Sequence, residues 1–345
     1  MNRAATSYLV LFANCIPVKG ASNSVIYDLQ RNAYEHIPND LYDFLMEIPK
    51  HSLQKLIDLY GEENQEIIEE YIHFICTNEF GFITKTPELF PPLEQQWYSP
   101  AHITNAIIEI TPTTFPYLQK IIDSLEHLGC EHVLLKLDSS LQFHHLATTL
   151  ATFENTIVGN IQVFAYHDCC VDIETYRQEI ETNQQIDACF LQSSTLQIAP
   201  LADQTEKLKI CRSLKGKTAK YQVFSINNTH FAEAQYHHTY FNRKLYIGKE
   251  GELKNAPECV DIFGSIQQIP SSKTIIDIVE TAGFRKFWYI KKDNCKVCQD
   301  CPYRYMCLDN RLPIQQVDGQ YDFEQACEYN PYTFEWESLQ EALVE

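Results

Sequence analysis

Five of the chain's thirteen cysteines fall after residue 290. Four of them stand in the run Cys295-Lys296-Val297-Cys298-Gln299-Asp300-Cys301-Pro302-Tyr303-Arg304-Tyr305-Met306-Cys307, and Cys327 follows twenty residues later. Two cysteines separated by two residues can turn both sulfurs to one ion, because the turn between them also aims backbone N–H groups at the sulfurs. Cys298 and Cys301 have that spacing, and Cys307 and Cys327 would close a four-thiolate site from two chain segments. Zinc and an iron–sulfur cluster both suit four thiolates, and the spacing leaves the two open. Unrelated buried thiols are the competing reading. Cys295, three residues before Cys298, could replace a ligand.

A second group is His167-Asp168-Cys169-Cys170, at the end of an expected strand, where barrel enzymes place catalytic groups. A histidine, a carboxylate and a thiol together could make a nucleophile or a metal site. Adjacent cysteines point in different directions, however, and strand-end thiols often serve only as core. His237-His238, beside Tyr236 and Tyr240, could be substrate contacts, though a hairpin surface is expected, and His144-His145 opens a helix facing solvent. Residues 285–311 carry seven basic and three acidic side chains, in a chain whose net charge is −19. Cations beside an anionic thiolate cluster stabilise it and shift its potential.

The elements that must position these residues fall into three blocks. The first, residues 1–90, reads as a small winged-helix-like domain. Ser7–Ala13 and Ser24–Leu29 are β-favouring runs expected to pair as a hairpin across Gly20, Ser22 and Asn23. Three helices follow: one capped by Asn39-Asp40 with Leu41, Phe44 and Leu45 inside, one from Ser52 to Gly61, and one over 64–78 carrying Ile67, Ile68, Tyr71, Ile72 and Ile75. Phe80–Ile83 closes the block as a strand. Pro87 to Pro100 reads as a linker.

The second block, 100–220, alternates strands at 106–110, 132–137, 161–166 and 186–191 with helices at 116–128, 141–154 and 172–182. That rhythm fits right-handed βαβ units in a parallel sheet, part of a (β/α) barrel. It contains no Gly-rich phosphate loop, so neither a P-loop nor a Rossmann fingerprint is supported. The third block, 221–345, has short strands at Tyr221–Ile226, Lys244–Ile247 and Lys249–Lys254, a helix at 273–281, and then the cysteines. The expected fold class is α/β.

Composition narrows the setting. At 45% hydrophobic and 21% charged the chain is globular in type. Residues 1–100 hold six Lys or Arg against fourteen Asp or Glu, whereas a DNA reader needs cations to displace phosphate counterions; no nucleic-acid partner is expected. The apolar stretch Tyr8–Val18 is broken by Asn14 and Pro17 and preceded only by Arg3, a poor signal sequence. Leu11 to Cys15 departs from a lipoprotein cleavage site because Asn14 sits where a small residue is needed. With no long apolar span, no membrane partner is expected, and a cytoplasmic protein with free or metal-bound thiols is.

Two resemblances sharpen these expectations. The first block resembles the peptide-recognition domains of enzymes that modify ribosomally made peptides, which capture a leader peptide by strand addition beside a helix. Cys298-x2-Cys301-x5-Cys307 followed by Cys327, with Tyr303-Arg304-Tyr305 between and Asn330-Pro331-Tyr332 after, resembles the SPASM domain of radical SAM peptide maturases. That resemblance implies one [4Fe–4S] cluster on Cys298, Cys301, Cys307 and Cys327. The domain's other cluster lacks a ligand near Asn310 or Arg311, and only Cys259 has a plausible place upstream. The family's C-x3-C-x2-C, which holds the SAM cluster, would fall at Thr111–Gln119, a stretch without cysteine; its Gly-Gly-Glu is replaced by Leu137-Asp138-Ser139-Ser140. No SAM cleavage is therefore expected.

The whole arrangement, with Tyr27-Asp28-Leu29 and Ile37-Pro38 early and the cysteines late, is similar to the SPASM-domain maturases of grasp-with-spasm systems. The resemblance implies two partners: a precursor (leader) peptide, and an ATP-grasp ligase that crosslinks its side chains. The expected role is to bind and present the precursor. Two alternatives stand beside it, a peptide-modifying enzyme using its own cluster or the Cys169/Cys170 group, and a zinc-binding interaction protein.

Overall fold

The structure is a computed structural model that describes residues 7–193, 206–212 and 222–336; Arg3 and Tyr221 lie outside them. Ala13 and Asn14 form a turn that splits the first apolar run. Strand β1 (Tyr8–Leu11) therefore ends early, and β2 (Cys15–Val18) pairs antiparallel with β3 (Asn23–Asp28) in its place. The expected hairpin between 7–13 and 24–29 does not form; β1 pairs instead with β5 (Gly81–Thr84). A strand absent from the sequence reading, β4 (Ala33–Pro38), completes a β2-β3-β4 meander. Its residues are mostly exposed, so it lacks the apolar alternation that marks a strand.

Three helices follow and share a core with this meander. Helix α1 (Asn39–Glu47) buries Leu41, Phe44 and Leu45 as expected. Its cap is a correction: Pro38 occupies the capping position, and Asn39, one residue further in, donates to the Gly20 and Ala21 carbonyls and accepts from the Ser24 hydroxyl. The asparagine fastens the β2–β3 turn to the helix. In α2 (Leu53–Tyr60) Ser52 does cap, accepting from the Lys55 N–H, and Gly61 at φ +89° ends the helix. Helix α3 (Gln65–Thr77) buries Ile68 and Ile75 but leaves Ile67 exposed.

The rhythm of the second block becomes β6 (Asn105–Ile110), α4 (Leu118–Leu128), β7 (His132–Leu137), α5 (Phe143–Phe153), β8 (Asn160–Tyr166), α6 (Ile173–Thr182) and β9 (Ile186–Gln192). β6 is a near-continuous buried run and β7 alternates buried with less buried positions, and both patterns mark a strand. Gly129, left-handed at φ +72°, ends α4, and a Cβ there would meet Ala101 at 3.1 Å. Strand β10 (Leu208–Cys211) adds to β9. The later elements are β11 (Gln222–Phe224), α7 (Asn228–Ala234), β12 (Lys244–Ile247), β13 (Leu253–Lys254), α8 (Thr274–Val279) and β14 (Cys307–Asp309).

The resulting sheet has seven strands in the order β10-β9-β8-β7-β6-β12-β13, all parallel except β13. Strands β12 and β13 come from the block after 221 yet belong to the sheet of the block before it. The strand expected over 249–254 shrinks to its last two residues because Gly248–Gly251 form a turn. Helix α7, capped by Asn227 through the His230 N–H, went unforeseen. With eight α-helices among the described residues, the fold is mixed α/β. None of those helices is long and apolar enough to cross a membrane.

Candidate metal centre

Cys298, Cys301, Cys307 and Cys327 line one small cavity, with Lys292, Arg304, Asp309, Arg311 and Tyr329 around them. Cys298 opens a single 3-10 turn whose end is the Cys301 N–H on the Cys298 carbonyl, 3.0 Å. Cys307 begins β14, where pairing with β11 holds it in register opposite Phe224. Cys327 arrives just before a two-residue strand, Tyr329–Asn330. Immediately ahead of Cys298 stands Val297 at φ +65°, a left-handed conformation that a β-branched residue adopts only under constraint, at about 1–3 kcal/mol. Backbone strain of this kind concentrates where ligands are aimed.

Two backbone N–H groups already point at sulfur. Tyr329 donates to Cys327 Sγ at 3.4 Å, and the Tyr303 N–H lies on Cys301. Such bonds favour the thiolate. Burial works against them and pushes the Cys298, Cys301 and Cys307 thiols above the ordinary range. Buried thiols that resist ionisation are deprotonated by a bound cation, whose charge exceeds any other in such a site.

Zinc and an iron–sulfur cluster both take four thiolates, and the residues lining the cavity suit either.

Behind the sulfurs lies a buried charged triad. Asp309, fully buried, accepts from Lys292 Nζ at 2.6 Å and from the Arg311 guanidinium at 2.9 and 2.7 Å. Burial alone would raise the Asp309 carboxyl, but Lys292 and Arg311 outweigh it and hold the group well below the usual carboxylate range. Two cations against one anion leave the triad at +1 beside the cavity, and the nearest anions available to balance it are the thiolates. Of the other basic residues of 285–311, Lys286 pairs with Asp261, Lys296 with Asp318, Arg285 with Glu280, and Lys291 and Arg304 with Asp293. Arg304 also lines the cavity and donates to the Cys301 carbonyl at 2.8 Å, so the local positive charge reaches the sulfurs through Lys292, Arg304 and Arg311.

The cysteine loop is bound directly to the N-terminal meander. Tyr27 donates its hydroxyl to the Pro302 carbonyl at 2.7 Å, Ala21 N–H to Asp300 O at 2.8 Å, and Arg304 to Lys19 O at 2.6 Å. His36 and the Tyr303 hydroxyl meet at 2.7 Å. At Gly20 the two segments approach closely, since a Cβ there would stand 2.7 Å from Pro302 Cδ and 2.2 Å from Asn23 O. Tyr27, Phe231, Tyr303 and Tyr329 form a shared aromatic core. These contacts join residues some 270 to 310 apart in sequence, and no local pattern announces them.

The remaining expected residues separate. Cys295 is buried with its thiol on the Lys291 carbonyl, pushed up to about 12 by burial, and lies off the cavity wall. Cys259 packs with Phe241 and Ala256, also off the wall. Asp168, Cys169 and Cys170 do come together at the end of β8, whereas His167 turns back to the Val171 carbonyl. His144 is exposed as expected, and His145 closes the α5 cap by accepting from the Gln142 N–H. In the loop after β6, the Thr111 hydroxyl donates to Lys249 O and the Thr114 hydroxyl to Glu109 O, closing the turn on itself.

His238 is a correction: it is fully buried, not on a hairpin surface, and neither ring nitrogen has a hydrogen-bond partner. Burial holds it well below the ordinary histidine range and holds His230, in α7, at about 4. Both are therefore neutral in the folded chain and would take up protons on unfolding. The stability they confer is complete above about pH 6.5 and is lost as pH falls toward the folded values. His230 alone should account for about 2 kcal/mol between pH 7 and pH 5. Urea midpoints at the two pH values check this, and His230→Phe should remove its share of the difference.

No protein-family model matches the chain, and no curated protein matches it.

Proposed function

We propose that the chain is an iron–sulfur protein of SPASM type in which Cys298, Cys301, Cys307 and Cys327 hold one [4Fe–4S] cluster. It takes part in maturing a ribosomally made peptide beside an ATP-grasp ligase, by binding and presenting the precursor and without cleaving SAM. The observation that carries this reading is the docking of the N-terminal meander on the cysteine loop through Tyr27, Ala21, Arg304 and His36. A peptide held by the first domain is thereby held against the cluster lobe. The cationic triad suits an anionic metal–thiolate centre, and the choice of the cluster over zinc rests on the likeness of the cysteine spacing to the SPASM pattern. When bound, the cluster supplies either a rigid core for the lobe or a one-electron centre.

The precursor's place is the apolar groove of about 640 Å³ between β1, β2, the end of α1 and the linker at 87–95. Strand β1 is paired by β5 on one side and borders the groove with the other, so an extended peptide can add there through main-chain hydrogen bonds. Pro17 lacks an N–H and makes β2 the poorer edge. Phe12 and Phe90, both partly exposed at the groove, offer aromatic anchors. Acidic surroundings, net −8 over residues 1–100, suit a basic leader.

Phe90→Asp should weaken binding of a fluorescently labelled leader at least about tenfold, with the unfolding midpoint unchanged, because a charge replaces an apolar contact in the groove. Fluorescence anisotropy reads the effect. Co-expression of precursor and ligase with and without this chain reads the role: the crosslinked product should fall when the chain is absent. Equal product in both cases would refute presentation.

A further inference from the structure

We propose that Asp168, Cys169 and Cys170 form a second metal site, one that takes a single thiophilic divalent cation such as Zn²⁺ and leaves a coordination position open. The three ligand atoms lie within 4.8 Å of one another in the turn that leaves β8. Both thiols are exposed and Asp168 is half-buried, so the site opens to solvent. The turn is braced without a metal. Asp168 Oδ1 accepts the Cys170 N–H at 3.0 Å, the Asp168 N–H donates to the Tyr176 hydroxyl at 2.9 Å, and Asp172 caps the following helix. The Cys170 thiol is itself hydrogen-bonded to the Asp168 carboxyl and to Cys169.

The donor set selects the cation. Calcium and magnesium want oxygen ligands throughout, whereas two thiolates and one carboxylate suit a borderline to soft ion. Three protein ligands, not four, match the sites in which zinc retains a water or substrate. His167 does not supply the fourth, since its Nε2 is turned to the Val171 carbonyl at 3.2 Å. Position supports the same reading: the C-terminal ends of parallel strands are where α/β sheets gather ligands. The site shares no residue with the four-cysteine cavity and stands whether or not that cavity holds a cluster.

The test is Cd²⁺ binding to the reduced full-length protein, by equilibrium dialysis and the thiolate-to-cadmium charge-transfer band. Wild type should bind one Cd²⁺ more than Cys169→Ser/Cys170→Ser, with the far-ultraviolet circular dichroism of the two alike. Asp168→Asn, which keeps the hydrogen bond to Cys170, should retain the band and weaken that extra ion about tenfold. Zn²⁺ should displace it. Equal Cd²⁺ uptake by wild type and the double variant would overturn the proposal, as would a Cys169–Cys170 disulfide that persists under thiol reductant.

Discussion

Asp309→Ala is expected to lower the free energy of unfolding by about 3–5 kcal/mol, because it leaves Lys292 and Arg311 buried without their shared counter-charge. Lys292 and Arg311 each expose less than a tenth of their side chains, so water cannot replace the carboxylate. Lys292→Met should cost less, since Asp309 and the Arg311 guanidinium then remain a neutral, bidentate pair. The pH dependence carries opposite signs for the two partners. Asp309, depressed in the fold, stabilises above about pH 4, and that stability is lost as pH falls through its folded value. Lys292, raised in the fold, stabilises below about pH 10, and that stability is lost as pH rises through its folded value. Urea midpoints of the three proteins near neutral pH, where both contributions are complete, provide the comparison.

Cys301→Ala/Cys307→Ala should abolish metal binding at the cavity, leaving iron at about a tenth of wild type or less after anaerobic reconstitution. Two of four thiolates cannot close a cluster. A cluster that binds the fold in preference to the unfolded chain stabilises it, so on this reading its loss should also remove several kcal/mol of stability. The loss should be felt in the N-terminal domain, whose Tyr27 and Ala21 hydrogen bonds end on Pro302 and Asp300 between the ligands. Hydrogen exchange at β2–β4 reads that coupling: protection of Tyr27 should fall in the double variant and hold in Cys259→Ala/Cys295→Ala. Equal protection in all three would show that the cavity does not support the meander.

Much of the central sheet was legible because β6 to β9 are apolar strands punctuated by amphipathic helices, with Gly129 marking the end of α4. The helices after Ser52 were legible for the same local reason. What escaped depends on distance along the chain. Strand β4 is an edge strand with polar, exposed residues, so its pairing rests on β3 and not on its own composition. The parallel pairing of β12 with β6 joins segments about 140 residues apart, and the sequence between them gives no register. At the site, the four cysteines could be read from spacing and do share a cavity, while the Lys292–Asp309–Arg311 triad could not. Asp309 lies two residues past Cys307, and nothing in its neighbours along the chain shows that β14 pairs there with β11 and that the carboxylate is buried.

The central claim is a single [4Fe–4S] cluster on Cys298, Cys301, Cys307 and Cys327, and iron and acid-labile sulfide per chain after anaerobic purification and reconstitution test it most directly. The account predicts about four of each, lost in Cys301→Ala/Cys307→Ala and kept in Cys259→Ala/Cys295→Ala. Zinc in place of iron, or about eight iron per chain, would contradict it.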